Sequence, residues 1–162
     1  MGTRYLDLNT NSILKDWDVG KAIRELLANA IDESTESKTP LPILNFEDRV
    51  LTISDRGSGL KPEHFSHNIN QNKQNNINYI GKYGFGLKDC LAVLHREDRS
   101  ITIESKYLYV EEILLKKKQG FDNKTLHVVV EEPRNKEYIG TTIIVREIRT
   151  KEFKMLKRYF PQ

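Results

Sequence analysis

The sequence predicts an α+β domain in which an antiparallel or mixed sheet is covered on one face by helices. Two observations carry that prediction. The elements read in the order helix, hairpin, loop, helix and then several strands, which is not the strict strand–helix alternation of a doubly wound fold. The length of 162 residues, with 38% hydrophobic and 30% charged residues, fits a single soluble domain with a real core.

Ile13, Leu14 and Trp17 stand at helical spacing behind the capping residues Asn11 and Ser12 and predict a short helix. Val19, Ile23, Leu26, Leu27, Ala30 and Ile31 predict a long one. It should fade by Ser37, because Ser34 to Thr39 is turn-forming and Pro40 cannot sit inside a helix. Leu41 to Phe46 and Val50 to Ser54 are β-prone runs joined by Glu47-Asp48-Arg49, which reads as a hairpin. A brief helical turn is expected from Pro62 to Phe65. The Asn- and Gln-rich tract His67 to Asn78 predicts a long loop, either a lid spanning 66–80 or a tolerated insertion. Leu87 to Leu94 returns to helical spacing. Ser100 to Ser105, Tyr107 to Leu115, Leu126 to Glu132 and Thr141 to Glu147 then alternate or run apolar as strands do. Phe153, Leu156 and Phe160 share an apolar face beside Lys151, Lys154, Lys157 and Arg158. Residues 151–162 are therefore either a closing helix or the start of a connection to a further domain. No internal repeat is visible.

Composition excludes several classes. A net charge of +3 does not point to a nucleic-acid or membrane partner, and Lys116-Lys117-Lys118 lacks the aromatic interleaving of a strand-binding groove. Cys90 is alone, and His64, His67, His95 and His127 show no metal-ligand spacing with it, which fits a reducing, cytoplasmic setting. The N-terminus lacks an apolar signal core, and no segment approaches the roughly 20 apolar residues of a membrane span.

Four segments carry chemistry. On the long helix, Glu25, Asn29 and Asp32 fall at i, i+4 and i+7 and share one face. An Asn oxygen suits Mg²⁺ as a hard ligand, and a Glu one turn away can orient or deprotonate a water. The same stripe also suits a solvated helix face. Asp55-Arg56-Gly57-Ser58-Gly59 follows a strand directly. Its glycines permit close ligand approach, and Asp55 can accept hydrogen bonds from an amino group such as the adenine N6, although a plain surface turn has the same composition. Gly81-Lys82-Tyr83-Gly84-Phe85-Gly86-Leu87-Lys88-Asp89 places three glycines before a helix N-terminus. That is the arrangement of a phosphate cradle, with Lys88 as an added charge, or of a flexible hinge. The spacing matches neither the dinucleotide fingerprint nor the P-loop. Gly140-Thr141 opens a β-branched strand after a turn.

In this order, the four segments resemble the GHKL ATPase superfamily, which includes gyrase B subunits, Hsp90 chaperones, histidine kinases and MutL proteins. Residues 24–32 look like its N-box, 55–59 like its G1 box, 81–88 like its G2 box after an ATP lid, and Gly140-Thr141 like its late Gly-Thr. The resemblance covers nearly the whole chain, and Gly84 to Lys88 is most similar to the Hsp90-like and MORC-type branches. It implies the Bergerat fold, a two-layer α/β sandwich with a mixed, largely antiparallel sheet and helices on one face. It also implies ATP and Mg²⁺ as cofactors. Glu25 would be the general base, Asn29 the Mg²⁺ ligand through the ATP phosphates, and Asp55 the adenine reader, with Gly57 and Gly59 beneath the base. Gly81, Gly84, Phe85, Gly86, Leu87 and Lys88 would wrap the phosphates, and Thr141 would support Asp55, with Asp32 behind the pocket. A Glu four residues before the Asn favours hydrolysis over transfer of phosphate to a partner's His. ATP would drive lid closure and N-terminal homodimerisation within a larger machine containing a further domain or client. Turnover in isolation is expected to be slow, because many members take a Lys or Arg for the γ-phosphate from elsewhere. Arg56 departs from the small or acidic residue common at that point, and the Asn-rich lid matches no branch.

Overall fold

A computed structural model describes residues 2–8, 17–65, 85–117 and 124–158. Helix α1, Val19–Ser37, starts where the Asp18 carboxylate accepts the Lys21 N–H at 2.8 Å, satisfying one of the orphan donors of the first turn. It ends at Lys38, which turns left-handed at φ 59°. The hydroxyls of Ser34, Thr35 and Ser37 donate to carbonyls four residues earlier, so the turn-forming tail stays helical through its own side chains. Val19, Ala22, Ile23, Leu26, Leu27, Ala30 and Ile31 are all buried, and α1 packs against helix α2 (Phe85–Arg96), helix α3 (Thr150–Lys157) and the sheet.

The strands are β1 (Arg4–Asp7), β2 (Ile43–Glu47), β3 (Val50–Asp55), β4 (Ile101–Glu104), β5 (Tyr109–Lys117), β6 (Lys124–Glu131) and β7 (Thr141–Val145). They form one sheet in the order β1-β6-β5-β4-β7-β3-β2. The β2–β3 hairpin closes on Asp48 and Arg49, at φ 52° and 66°. Two positive φ values in a two-residue loop match the twist of the flanking strands. On β3 and β7 the pleat alternates cleanly, burying Leu51, Ile53 and Asp55 on one strand and Thr141, Ile143 and Val145 on the other. A 3-10 turn at Pro62–Phe65 drives Phe65 into the core. Among the described residues no helix is long and apolar enough to cross a membrane.

The expected fold class needs correction. Every described strand pair is antiparallel, and among the described residues seven strands with three α-helices make a sheet-dominated fold. The anticipated two-layer α/β sandwich, with a mixed sheet and helices on one face, is not what forms. The reason lies in the last strand. The chain leaves β3, passes through α2 and returns in β4, so β3 and β4 run in the same direction, as in a parallel crossover. They do not touch. Strand β7 enters between them and pairs antiparallel with both, with Ile53 and Ile103 each opposite Ile143. Strand β1 was not anticipated. Its four residues carry Arg4 and Asp7 and hold strand geometry by pairing with β6, Tyr5 opposite Val129. The short helix expected at 13–17 lies outside the described residues except for Trp17, which is not helical. The expected lid at 66–80 lies outside them too. The tail resolves as the closing helix α3, with Leu156 buried and Phe153 stacked on Phe46 at 4.4 Å between ring centroids.

Candidate functional site

Strand pairing sets the first part of the site. Asp55 ends β3 and Thr141 opens β7, directly opposite each other, so the carboxylate and the hydroxyl emerge at one edge of the sheet's buried face. Asp55 Oδ1 accepts the N–H of Gly57 at 2.8 Å and of Thr141 at 3.3 Å. Thr141 Oγ1 accepts the Leu60 N–H at 2.8 Å, holding the far end of the turn that begins at Asp55. Gly59 sits at φ 95° there, with the Tyr107 ring 3.3 Å from where its Cβ would be. Ser105 Oγ donates to the Leu60 carbonyl at 2.6 Å, tying the β4–β5 connection to the same turn.

Helix α1 supplies the second part. Asn29 is 7% exposed and Asp32 1%, which disposes of a solvated face for this stripe. The start of α2 lies directly against it. A Cβ on Gly86 would stand 3.5 Å from Glu25 Oε2 and 3.7 Å from Asn29 Nδ2, ordinary van der Waals distances that place the start of α2 against this stripe. Between helices and strands lies a small hollow of about 20 Å³, room for about one water molecule. Its walls are Leu26, Ala30, Leu60, Leu87 and Ile143, and its polar atoms come from Asn29, Asp55 and Thr141. Among the described residues Asn29 Oδ1 is buried without a hydrogen-bond partner. Such an atom costs about 1–3 kcal/mol unless something else satisfies it.

The structure therefore brings Asn29, Asp55, Leu87 and Thr141 onto one hollow, with Gly86 and Glu25 at its helix-pair side and Gly57 and Gly59 in the adjoining turn. Glu25 does not line the hollow itself. Its Oε1 is 3.8 Å from Lys21 Nζ, one turn nearer the start of α1, and its side chain is 21% exposed. Partial burial holds the Lys88 ammonium below its usual range, against the opposing charges of Asp89 and Asp7. Burial raises the Asp89 carboxyl; Lys88 lowers it and the Glu25 charge raises it further. Gly81 and Gly84 lie outside the described residues, as does the Phe85 side chain. Among the described residues no three His, Cys, Asp or Glu side chains gather as a metal site.

Glu33 was missed by sequence reading. Its Oε1 accepts both the N–H and the hydroxyl of Ser58, at 2.8 and 2.6 Å. The available signal was its place four residues after Asn29, in the series 21, 25, 29, 33 along one helix face.

No known family profile matches the chain. Over 157 residues it is 39% identical to an "Uncharacterized protein" of Mycoplasma pneumoniae, an alignment covering 93% of this chain and 62% of that protein.

Proposed function

We propose that this chain is a Mg²⁺-dependent ATP-binding and ATP-hydrolysing domain. The observation that carries the reading is Asn29 Oδ1, a buried acceptor without a partner among the described residues, at the wall of the hollow that Asp55 and Thr141 also line. A hard amide oxygen in that state fits a cation better than it fits a packed core. Described residues from all four segments that resemble the GHKL superfamily, Asn29, Asp55, Leu87 and Thr141, line this hollow although they are far apart in the chain, which supports the same ligand.

Asp55 would accept from the adenine amino group through the carboxylate whose Oδ1 is already held by Gly57 and Thr141. Leu26, Ala30, Leu60 and Ile143 would exclude water around the base. Asn29 would hold Mg²⁺, which when bound neutralises charge on the phosphates. Gly86 and the start of α2 would face the phosphates with backbone N–H groups. Glu25 would take a proton from a water as its oxygen bonds to the γ-phosphorus and the bond to ADP breaks, giving inorganic phosphate. The relative's greater length is consistent with one module of a larger machine, and the reducing setting implied by a lone, buried Cys90 is consistent with the cytoplasm.

Titration calorimetry with Mg·ATP tests the reading: the wild-type chain should bind, and Asn29→Ala should lose most of that affinity. Glu25→Ala should keep binding and stop phosphate release. Absence of binding heat in the wild type rejects the proposal, and unchanged turnover in Glu25→Ala removes Glu25 from its role. A second reading, an ATP sensor without hydrolysis, is favoured by the Lys21–Glu25 pair, in which the ammonium lies 3.8 Å from the carboxylate that would act as base. Bound ATP recovered intact after a long single-turnover incubation would select it.

A further inference from the structure

We infer that Glu33 is a positioning residue for adenine recognition, acting through the turn that carries Asp55; the inference rests on the Mg·ATP reading. Glu33 lies one helical turn beyond Asn29, so α1 reaches the Asp55 end of the hollow with this side chain. A single carboxylate oxygen takes two hydrogens from Ser58, both at charge-assisted distances of 2.8 and 2.6 Å. The preceding amide, on Gly57, points at Asp55 instead, at 2.8 Å. Two successive N–H groups of one short turn are thus divided between two carboxylates, one on the helix and one on the strand. Rotating the turn to release either would release the other.

Gly57 carries a second, independent mark of this arrangement. Its φ is not among the positive ones, so backbone freedom does not demand glycine there. Space does. A Cβ would stand 2.2 Å from Glu33 Cγ and 2.5 Å from Oε1, because the Glu33 side chain lies across the residue. Together Gly57 and Glu33 fix the distance between α1 and the turn, and with it the direction in which Asp55 presents its carboxylate beside Asn29. A plain surface tether between helix and loop would hold the same atoms together but would not discriminate among ligands.

The test measures binding of Mg·ATP, Mg·ADP and Mg·tripolyphosphate to the wild-type chain, Glu33→Ala, Glu33→Gln and Gly57→Ala. Glu33→Ala should weaken ATP and ADP in parallel by about tenfold, the usual scale for a residue that orients a ligating side chain, with tripolyphosphate unchanged. Glu33→Gln keeps an acceptor oxygen and should restore most of the loss. Gly57→Ala should behave as Glu33→Ala does, and the double variant Gly57→Ala/Glu33→Ala should be no weaker than either alone. Wild-type affinity in Glu33→Ala overturns the inference, as does an equal loss of tripolyphosphate binding, while the Mg·ATP reading stands. A wild-type chain that binds no ATP overturns both.

Discussion

A methyl group on Gly140 would stand 1.8 Å from the backbone oxygen of Asp55. The residue just before β7 therefore lies in van der Waals contact with the residue that ends β3, and its φ of 75° is closed to most side chains as well. Steric exclusion and backbone strain act at the same point. Gly140→Ala should destabilise the chain by about 2–4 kcal/mol, measured by urea unfolding. Gly2→Ala, whose Cβ would meet nothing within 4 Å, is the matched control and should stay within about 0.5 kcal/mol of wild type. Equal stability of the two variants would refute this account of the β3–β7 junction.

Gly86 is a glycine of a different kind. It is helical, and an added Cβ would make ordinary contacts with Glu25 and Asn29 at 3.5–3.8 Å. Gly86→Ala should fold normally, with stability unchanged or raised by about 0.5 kcal/mol, since alanine is the better helix former. The methyl group would occupy the space between α1 and α2 that the proposed phosphates need. Thermal melting and Mg·ATP calorimetry should therefore diverge, and a variant that binds ATP normally would show that this gap is not part of the site.

Asn29 should show a conflict between stability and binding. Its buried oxygen has no partner among the described residues, so Asn29→Leu replaces an unsatisfied polar atom with apolar surface of similar shape. Nucleotide-free protein should gain about 1 kcal/mol in chemical denaturation while losing Mg·ATP affinity. Destabilisation of the nucleotide-free variant would mean that Asn29 is a structural residue.

Acid sensitivity should map to Glu152. Arg99 Nη1 and Glu152 Oε1 are 2.9 Å apart, with side chains 7% and 13% exposed, and the Arg149 N–H adds a bond at 2.8 Å. Burial alone would raise the Glu152 carboxyl, but the bonds from Arg99 and Arg149 outweigh it and hold the group below its ordinary value of 4.5. A depressed pKa in the folded state contributes stability that is present above 4.5 and is lost as pH falls toward and through the lowered value. Glu152→Gln should flatten that acid limb of a pH–stability profile. Arg99→Met leaves the carboxylate buried without its cation and should cost about 3 kcal/mol at neutral pH. An acid limb unchanged in Glu152→Gln would assign it to other carboxylates.

Much of the candidate site was legible because its residue pattern is local. Glu25 and Asn29 share a helix face by spacing alone, Asp55 closes a β-prone run just before two glycines, and Gly86 precedes a helical pattern. Glu33 escaped because what marks it lies across from it, the Ser58 turn, 25 residues further along the chain. The lining by Leu60 and Ile143 escaped for the same reason: each reads simply as core until the strands are placed.

By itself the sequence determined the periodic elements: α1 by its apolar stripe, the β2–β3 hairpin by two β-prone runs around a polar link, and the succession of strands after α2. These depend on residues within a few positions of one another. Tertiary structure alone decided how the strands were ordered. Strand β7 had to enter between β3 and β4, and β1 had to join β6, before the sheet became antiparallel throughout its described part. Nothing local encodes that choice, because a strand's alternation says which face is buried and not which neighbour it pairs with. The meeting of Asp55 with Thr141 follows from that ordering, and so does the hollow that Asn29 overlooks.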